Sequence, residues 1–435
     1  MELPNLHLAS SDKTPQPFQP PASGGSVVML FGQAMRRHQG KIAFIQWGML
    51  GIYLFLLLAP LVFPNLQNAV FFWEDLQLFS VFVFWGIGWP LIMLSTLIFG
   101  RIWCGVFCPD GTLTEAISRY GQQRAIPRWI RWPGWPSLML VFYSLFLFLA
   151  EATHHHLASL ILLGSLTLFA ILTGFLFGNG RRIWCMYLCP SNIIFSFLAK
   201  LSPFYYRVDR EKWETYQGPH ERINCAPLVN IKQMQSTSSC HACGRCINYR
   251  HAVELATRKP HHEILSAPSE QTSTIQAITL LFGIISMGSN ILLFSRPPWG
   301  NSQDINLLIM ICLISGCTLL LGCILSGLMW LASKIAGKGA APWQQLSLGL
   351  VPLTGAGLIF GFFTGSFDFI GPTTWIRQGI LTLQLLLLGC AFLFSFWLGL
   401  QLIFRKRTLR HAIALTIYTV TLCLLGSISG ITLLT

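Results

Sequence analysis

Arg101-Ile102-Trp103-Cys104-Gly105-Val106-Phe107-Cys108-Pro109 returns, 81 residues further on, as Arg182-Ile183-Trp184-Cys185-Met186-Tyr187-Leu188-Cys189-Pro190. Each copy closes a pair of long apolar runs and opens into an apolar-periodic stretch. An even number of runs separates the copies, so they share one orientation and form parallel rather than inverted repeats. Proline is favoured at the first helical position, where its missing N–H is not needed. The pattern therefore predicts Cys108 and Cys189 at helix N-caps, in the positive end of a helix dipole that favours a thiolate. Four thiols on two equivalent repeats can meet between the span pairs. Three roles stay open for them: a second metal centre, a redox-active thiol pair, or transient copper binding.

The apolar runs decide the fold class. Hydrophobic residues make up 53% of the 435-residue chain and charged ones 10%, and the mean hydropathy is +0.57. A soluble chain carries about a quarter charged residues. Nine runs approach the roughly 20 residues needed to cross a bilayer, at 42–63, 78–99, 136–152, 157–178, 275–294, 306–332, 345–366, 379–403 and 411–434. The reading is an all-α polytopic membrane protein of about nine transmembrane helices with a small ferredoxin-like segment. With the N-terminus inside, 27 of the 29 Lys and Arg fall on the cytoplasmic side, all but Arg296 and Arg377, as the positive-inside rule requires. The net charge of +13 is thus a topology signal, and no nucleic-acid role follows. The expected location is a bacterial cytoplasmic (inner) membrane, with the lipid bilayer as the first partner.

The domain reading has four parts: a disordered cytoplasmic tail (1–35), a four-span domain carrying the repeats (36–201), a cytoplasmic iron–sulfur segment (202–270) and a five-span block (271–435). In the third part Cys240-His241-Ala242-Cys243-Gly244-Arg245-Cys246 is a C-x2-C-x2-C triplet, whose short loops let backbone amides face the sulfurs of a cubane. Zinc motifs instead pair two C-x2-C knuckles. In two-cluster ferredoxin modules each triplet borrows its fourth cysteine from the other motif. The downstream fourth position here is Arg250, and Cys225-Ala226-Pro227 stands where an upstream motif would end. That motif's own triplet would fall on Thr215, Gly218 and Glu221. All the ligands of one cluster are missing and all those of the other survive. The expectation is one [4Fe–4S] cluster on Cys225, Cys240, Cys243 and Cys246, with His241 or His251 as alternative fourth ligands.

Other candidates read more weakly. His154-His155-His156 suits copper or zinc capture but also an ordinary polar loop. Glu115 suits proton handling but also a solvated face. Cys312, Cys317, Cys323, Cys390 and Cys423 lie singly within spans, where packing is the default. The Gly-rich stretch 355–365 permits close helix packing.

The two Cys-x3-Cys-Pro repeats followed by the triplet resemble the NapH/NosR/CcoG group of membrane polyferredoxins, most closely the NapH-type quinol dehydrogenase subunit, over about residues 40–255. The resemblance implies electron transfer between the quinol pool and a redox protein partner or complex, or copper reduction during oxidase assembly. The chain departs from the pattern in its missing ferredoxin ligands and its five added spans. Three functions remain: a quinol-linked electron-transfer subunit with a possible quinone site, a metal-ion reductase or assembly factor, and a non-catalytic iron–sulfur sensor or scaffold.

Overall fold

In lipid every backbone N–H and C=O must be paired within the protein, so long apolar runs have no alternative to helix. The computed structural model describes residues 26–63, 75–218, 223–234, 236–266, 273–294, 307–337, 340–365, 374–404 and 409–434. Among them are eight helices long and apolar enough to span a membrane. In chain order the elements used below are α1 (Ser26–Arg37), α2 (Gln39–Val62), α3 (Leu76–Phe99), α4 (Pro109–Ser118), α5 (Trp135–Leu149), α6 (His156–Phe177), α7 (Ser191–Ala199), β1 (Phe204–Val208), β2 (Val253–Thr257), α8 (Thr274–Phe294), α9 (Leu308–Ala336), α10 (Trp343–Thr364), α11 (Trp375–Ile403) and α12 (Leu409–Leu434).

The expected third span is the shortest. α5 has 15 helical residues and pairs with α6 through Tyr143 Oη and Ser165 Oγ at 3.1 Å. The two repeats meet at one end of the bundle, so α5 and α6 together run out and back. Between α2 and α6, Pro60 removes the N–H that would bond Leu56 O. The His156 ring lies against the Leu56 and Leu57 carbonyls, with its Nε2 unpartnered. That turns His156 inward, while His155 pairs with Glu151 at 3.5 Å. The three histidines do not share one face.

The expected tail at 1–35 also changes. Residues 1–25 lie outside the described residues, but 26–37 form a helix with Arg36 and Arg37 in its last turn, where cations complement the dipole. α1 lies on the two-stranded antiparallel sheet, in which Tyr206 pairs with Leu255. Gly32 allows this approach: a Cβ there would lie 2.8 Å from Leu255 Cβ.

The C-terminal helices α8–α12 form the largest buried cluster, into which Leu140 of α5 and Phe197 of α7 extend. Glycines 355 and 361 of α10 make the close packing that the sequence suggests, each with Leu198 or Leu292 within 2.8 Å of where a Cβ would stand. Phe362 of α10 stacks on Trp85 and Trp89 of α3 at 6.5 and 6.1 Å. Cys312, Cys323, Cys390 and Cys423 are exposed on outward helix faces and Cys317 is half-buried. The interior packing expected of these five is therefore not what the fold gives them, because an outward face in lipid costs a thiol no desolvation.

Candidate metal centre

The first repeat begins where Gly100, at φ +68°, ends α3 in a conformation that favours glycine. The following Arg101 turns inward, with Nη1 donating to Ser238 O at 2.8 Å and Ser196 Oγ at 3.3 Å. Its Nη2 lies 3.7 Å from Cys104 Sγ. Residues Trp103–Phe107 wind as one π-helical turn, a form that recurs at functional sites. In both copies the second cysteine closes the turn: Cys108 N–H donates to Trp103 O and Cys189 N–H to Trp184 O, each at 2.9 Å.

The N-cap expectation holds for Cys108, whose Sγ accepts from Gly111 N at 3.4 Å. In the second copy the helix starts one residue later, at Ser191, and Pro190 is the cap. Cys189 still sits at the positive end, with the Ser191 and Asn192 amides donating to its sulfur.

The fold brings Cys104, Cys108, Cys185 and Cys189 into one group, in which the sulfurs act on one another electrostatically. Burial pushes the Cys108 and Cys185 thiols well up, and Cys189 up to about 12. A thiol held protonated is a poor redox nucleophile, whereas a coordinated metal deprotonates it outright. The chemistry of this donor set suits a metal better than a free thiol pair.

Cys225, Cys240, Cys243 and Cys246 form a second group, also in mutual Coulombic range. Ala242 N–H donates to Cys240 Sγ at 3.4 Å, and the Leu228 and Val229 amides donate to Cys225. Backbone amides facing sulfurs are what a thiolate-bound cluster requires. Ala242 at φ +48° and Gly244 at φ +77° form the tight turns between the cysteines. Of the alternative ligands, His251 is exposed and bonds Asn248 Oδ1 at 3.2 Å. His241 is 1% exposed, and neither ring nitrogen has a partner. Burial, with Arg101 and Arg182 nearby, holds its pKa well below the usual value, so the ring is neutral.

Among the described residues no three His, Cys, Asp or Glu side chains converge tightly enough for a single metal ion.

The two groups lie side by side. A Cβ on Gly105 would stand 2.0 Å from His241 O and 2.9 Å from Cys243 N, so the triplet loop rests directly on the first repeat. Glu115 fastens this contact. It is 4% exposed, with Oε1 2.7 Å from Arg245 Nη1 and Oε2 2.9 Å from Arg182 Nε. Arg182 also donates through Nη1 to Cys104 O, and its N–H to Ala226 O at 2.9 Å. Burial by itself would raise the Glu115 carboxyl, but Arg182 and Arg245 outweigh it and hold it below the usual range. The solvated-face reading of Glu115 is therefore corrected: it is the buried junction of both repeats and the triplet. Nothing in the local pattern marked it, because its partners come from distant segments.

From the other side α1 and the first residue of α2 close the triplet. Arg36 donates to Ile247 O, Gln39 Nε2 to Cys243 O at 3.1 Å, and Met35 packs over Gly244.

Both repeats match one protein-family model, described as a 4Fe-4S binding domain, over residues 81–133 and 160–207. The matched segments hold Cys104 and Cys108, then Cys185 and Cys189, and end before Cys225. The iron–sulfur description thus falls on the membrane repeats, where the sequence reading left the role of the thiols open. The chain is also 26% identical over 226 residues to the putative electron transport protein YccM of Escherichia coli (strain K12), covering 44% of this chain and 62% of that relative. It therefore spans less than two thirds of the relative's length. No solved structure matches. These findings support an iron–sulfur electron-transfer family.

Proposed function

We propose that this chain is a membrane electron-transfer protein with two [4Fe–4S] clusters, relaying electrons between the quinol pool and a redox partner of a bacterial inner membrane. One cluster takes Cys104, Cys108, Cys185 and Cys189; the other takes Cys225, Cys240, Cys243 and Cys246. The observation that carries the reading is the direct contact of the two cysteine groups at Gly105 and His241. A [4Fe–4S] cluster, when bound, accepts and releases one electron. The protein supplies the rest: eight thiols in two fours, and amides of Gly111 and Ala242 that hold the sulfurs. Arg101 and Arg182 are positive charges beside the thiols, and they favour the more negative reduced state. The NapH-type resemblance supports a quinol link, and the positive-inside count supports a cytoplasmic cysteine end.

Iron and acid-labile sulfide analysis with EPR of the anaerobically purified, dithionite-reduced chain tests this. The expected result is about eight irons per chain, falling to about four in Cys104→Ser and in Cys225→Ser, each variant losing a different signal. About four irons in the unaltered chain, kept in Cys104→Ser, returns the repeat thiols to a non-cluster role. Added to the oxidised chain in place of dithionite, a short-chain quinol should reduce at least one cluster and bring up its EPR signal. No reduction by quinol, with Cu(II) reduced by the same preparation, would replace the quinol link with metal-ion reduction.

A further inference from the structure

One side chain at the junction of the two cysteine groups has no task in the electron-transfer reading. The His241 ring is almost fully buried, yet neither Nδ1 nor Nε2 has a hydrogen-bond partner. A neutral imidazole carries one N–H and one lone pair, and a buried N–H without an acceptor is rare in a finished structure. Bulk water does not reach a ring this enclosed. Its surroundings belong to the repeat thiols. The His241 carbonyl would stand 2.0 Å from a Cβ on Gly105, in the turn between Cys104 and Cys108. The charges that face the ring are Arg101 and Arg182, the opening residues of the two repeats. Arg101 Nη2 lies 3.7 Å from Cys104 Sγ, and Arg182 donates to Cys104 O. Arg101 Nε–H is also buried without a partner, so two unpartnered donors belong to one thiol group.

We propose that the His241 ring N–H donates to a sulfur of the cluster held by Cys104, Cys108, Cys185 and Cys189, so that a residue of the triplet loop sets the potential of the neighbouring cluster. The inference rests on the two-cluster reading and deepens it. Hydrogen bonds to cluster sulfurs are one of the levers that tune an iron–sulfur potential. A donor at a sulfur favours the reduced, more negative state, and so moves the potential upward. Arg101 and Arg182 act in the same direction through charge, whereas a neutral ring adds a directed N–H and no charge. His241 is thus a positioning residue and not a ligand. Cys240 and Cys243 on either side of it take the ligand role, while the ring faces the arginines of the other group. The bare backbone of Gly105 gives the bond its geometry, because it lets the loop come down on the first repeat. Lifting the loop would therefore withdraw the donor along with it.

The test is an anaerobic redox titration of the full-length, cluster-loaded chain followed by EPR, each signal being assigned by its loss in Cys104→Ser or Cys225→Ser. His241→Phe should keep the iron content and move the midpoint of the repeat signal to a more negative potential, with a smaller change in the triplet signal. His241→Gln, which retains an N–H donor, should restore most of the shift. Gly105→Met, with His241 in place, should lower the same midpoint by lifting the loop. Pulsed EPR of the chain carrying 15N-histidine should show a weak nitrogen coupling on the repeat signal, absent in both His241 variants. That measurement on the unaltered chain still decides the matter if His241→Phe fails to load its clusters. An unmoved repeat midpoint, equal shifts in His241→Phe and His241→Gln, or no nitrogen coupling on the repeat signal would overturn the proposal. A strong coupling on the triplet signal, with iron lost in His241→Phe and kept in Cys225→Ser, would make His241 a ligand and overturn it too. The two levels separate cleanly. Two cluster signals without nitrogen coupling sink only the role of His241, whereas a chain in which Cys104→Ser removes no signal sinks the two-cluster reading itself.

Discussion

The two copies of the repeat share a backbone plan and differ in what they receive. Arg101 of the first copy reaches Ser196 in the helix after the second, while Arg182 of the second reaches Glu115 in the helix after the first. Ser196 and Glu115 are equivalent positions, 81 residues apart like the cysteines. The exchange is reciprocal, as a pseudo-symmetric pair demands. The asymmetry lies in three side chains. Where the second copy has Met186, the first has Gly105, and the bare backbone lets the triplet loop sit down on it. Where the second has Ser196, the first has Glu115, whose charge binds Arg182 and Arg245 together. Where the second has Ser191, the first has Asp110, which accepts from Thr167 Oγ1 at 2.8 Å. Duplication supplies a symmetric cradle for four thiols, and a few substitutions decide which side carries the second group.

The largest expected effect comes from removing the charge at that junction. Glu115→Gln leaves Arg182, 1% exposed, without its ion partner, and breaking a buried pair costs about 3–5 kcal/mol. Thermal unfolding in detergent should fall accordingly, with release of iron from both groups. An unchanged midpoint would show that the junction is not structural.

Next is Gly105→Met, which copies the second repeat into the first. Overpacking costs about 1–3 kcal/mol, and here the obstruction is backbone, so the triplet loop must lift. Both iron groups should remain, but magnetic coupling between the two reduced EPR signals should weaken. Met186→Gly should leave the coupling intact, because the triplet loop rests on Gly105.

Acidification probes the same junction more gently. The Glu115 carboxyl is depressed in the folded chain relative to its ordinary 4.5. Its contribution is therefore complete above about pH 4.5 and is lost as pH falls through the folded value. Stability of the unaltered chain should drop in that acid window, and that of Glu115→Gln should drop less. Parallel curves would remove Glu115 from the acid response.

The smallest effect is expected at the equivalent position of the other copy. Ser196→Ala removes one hydroxyl partner of Arg101, which keeps its bond to Ser238 O, so about 1 kcal/mol is at stake. A loss as large as that of Glu115→Gln would mean the two copies are not so different after all.

Much of this was legible in the chain because the relevant forces are local or periodic. Long apolar runs fix helices, since lipid leaves the backbone no other partner. An even number of spans between the copies puts Cys104, Cys108, Cys185 and Cys189 at one end. The proline after Cys108 announced its cap, and the arithmetic of absent cysteines pointed to Cys225 as companion of the triplet. Where local signals were thin, the reading failed. Residues 26–35 looked like tail because α1 rests on Leu255, Ile247 and Gly244, all more than 200 positions away. Glu115 looked solvated because its partners Arg182 and Arg245 come from other segments.

The sequence by itself determined a helical membrane protein with two equivalent cysteine repeats and a separate cysteine segment, because hydropathy and spacing are properties of the chain alone. Only the tertiary structure decided that the two sets of four thiols lie against each other on the side of the first repeat. That depends on a glycine meeting a distant backbone and on one buried carboxylate meeting arginines from two other segments. Contacts of that kind exist only once the chain has folded.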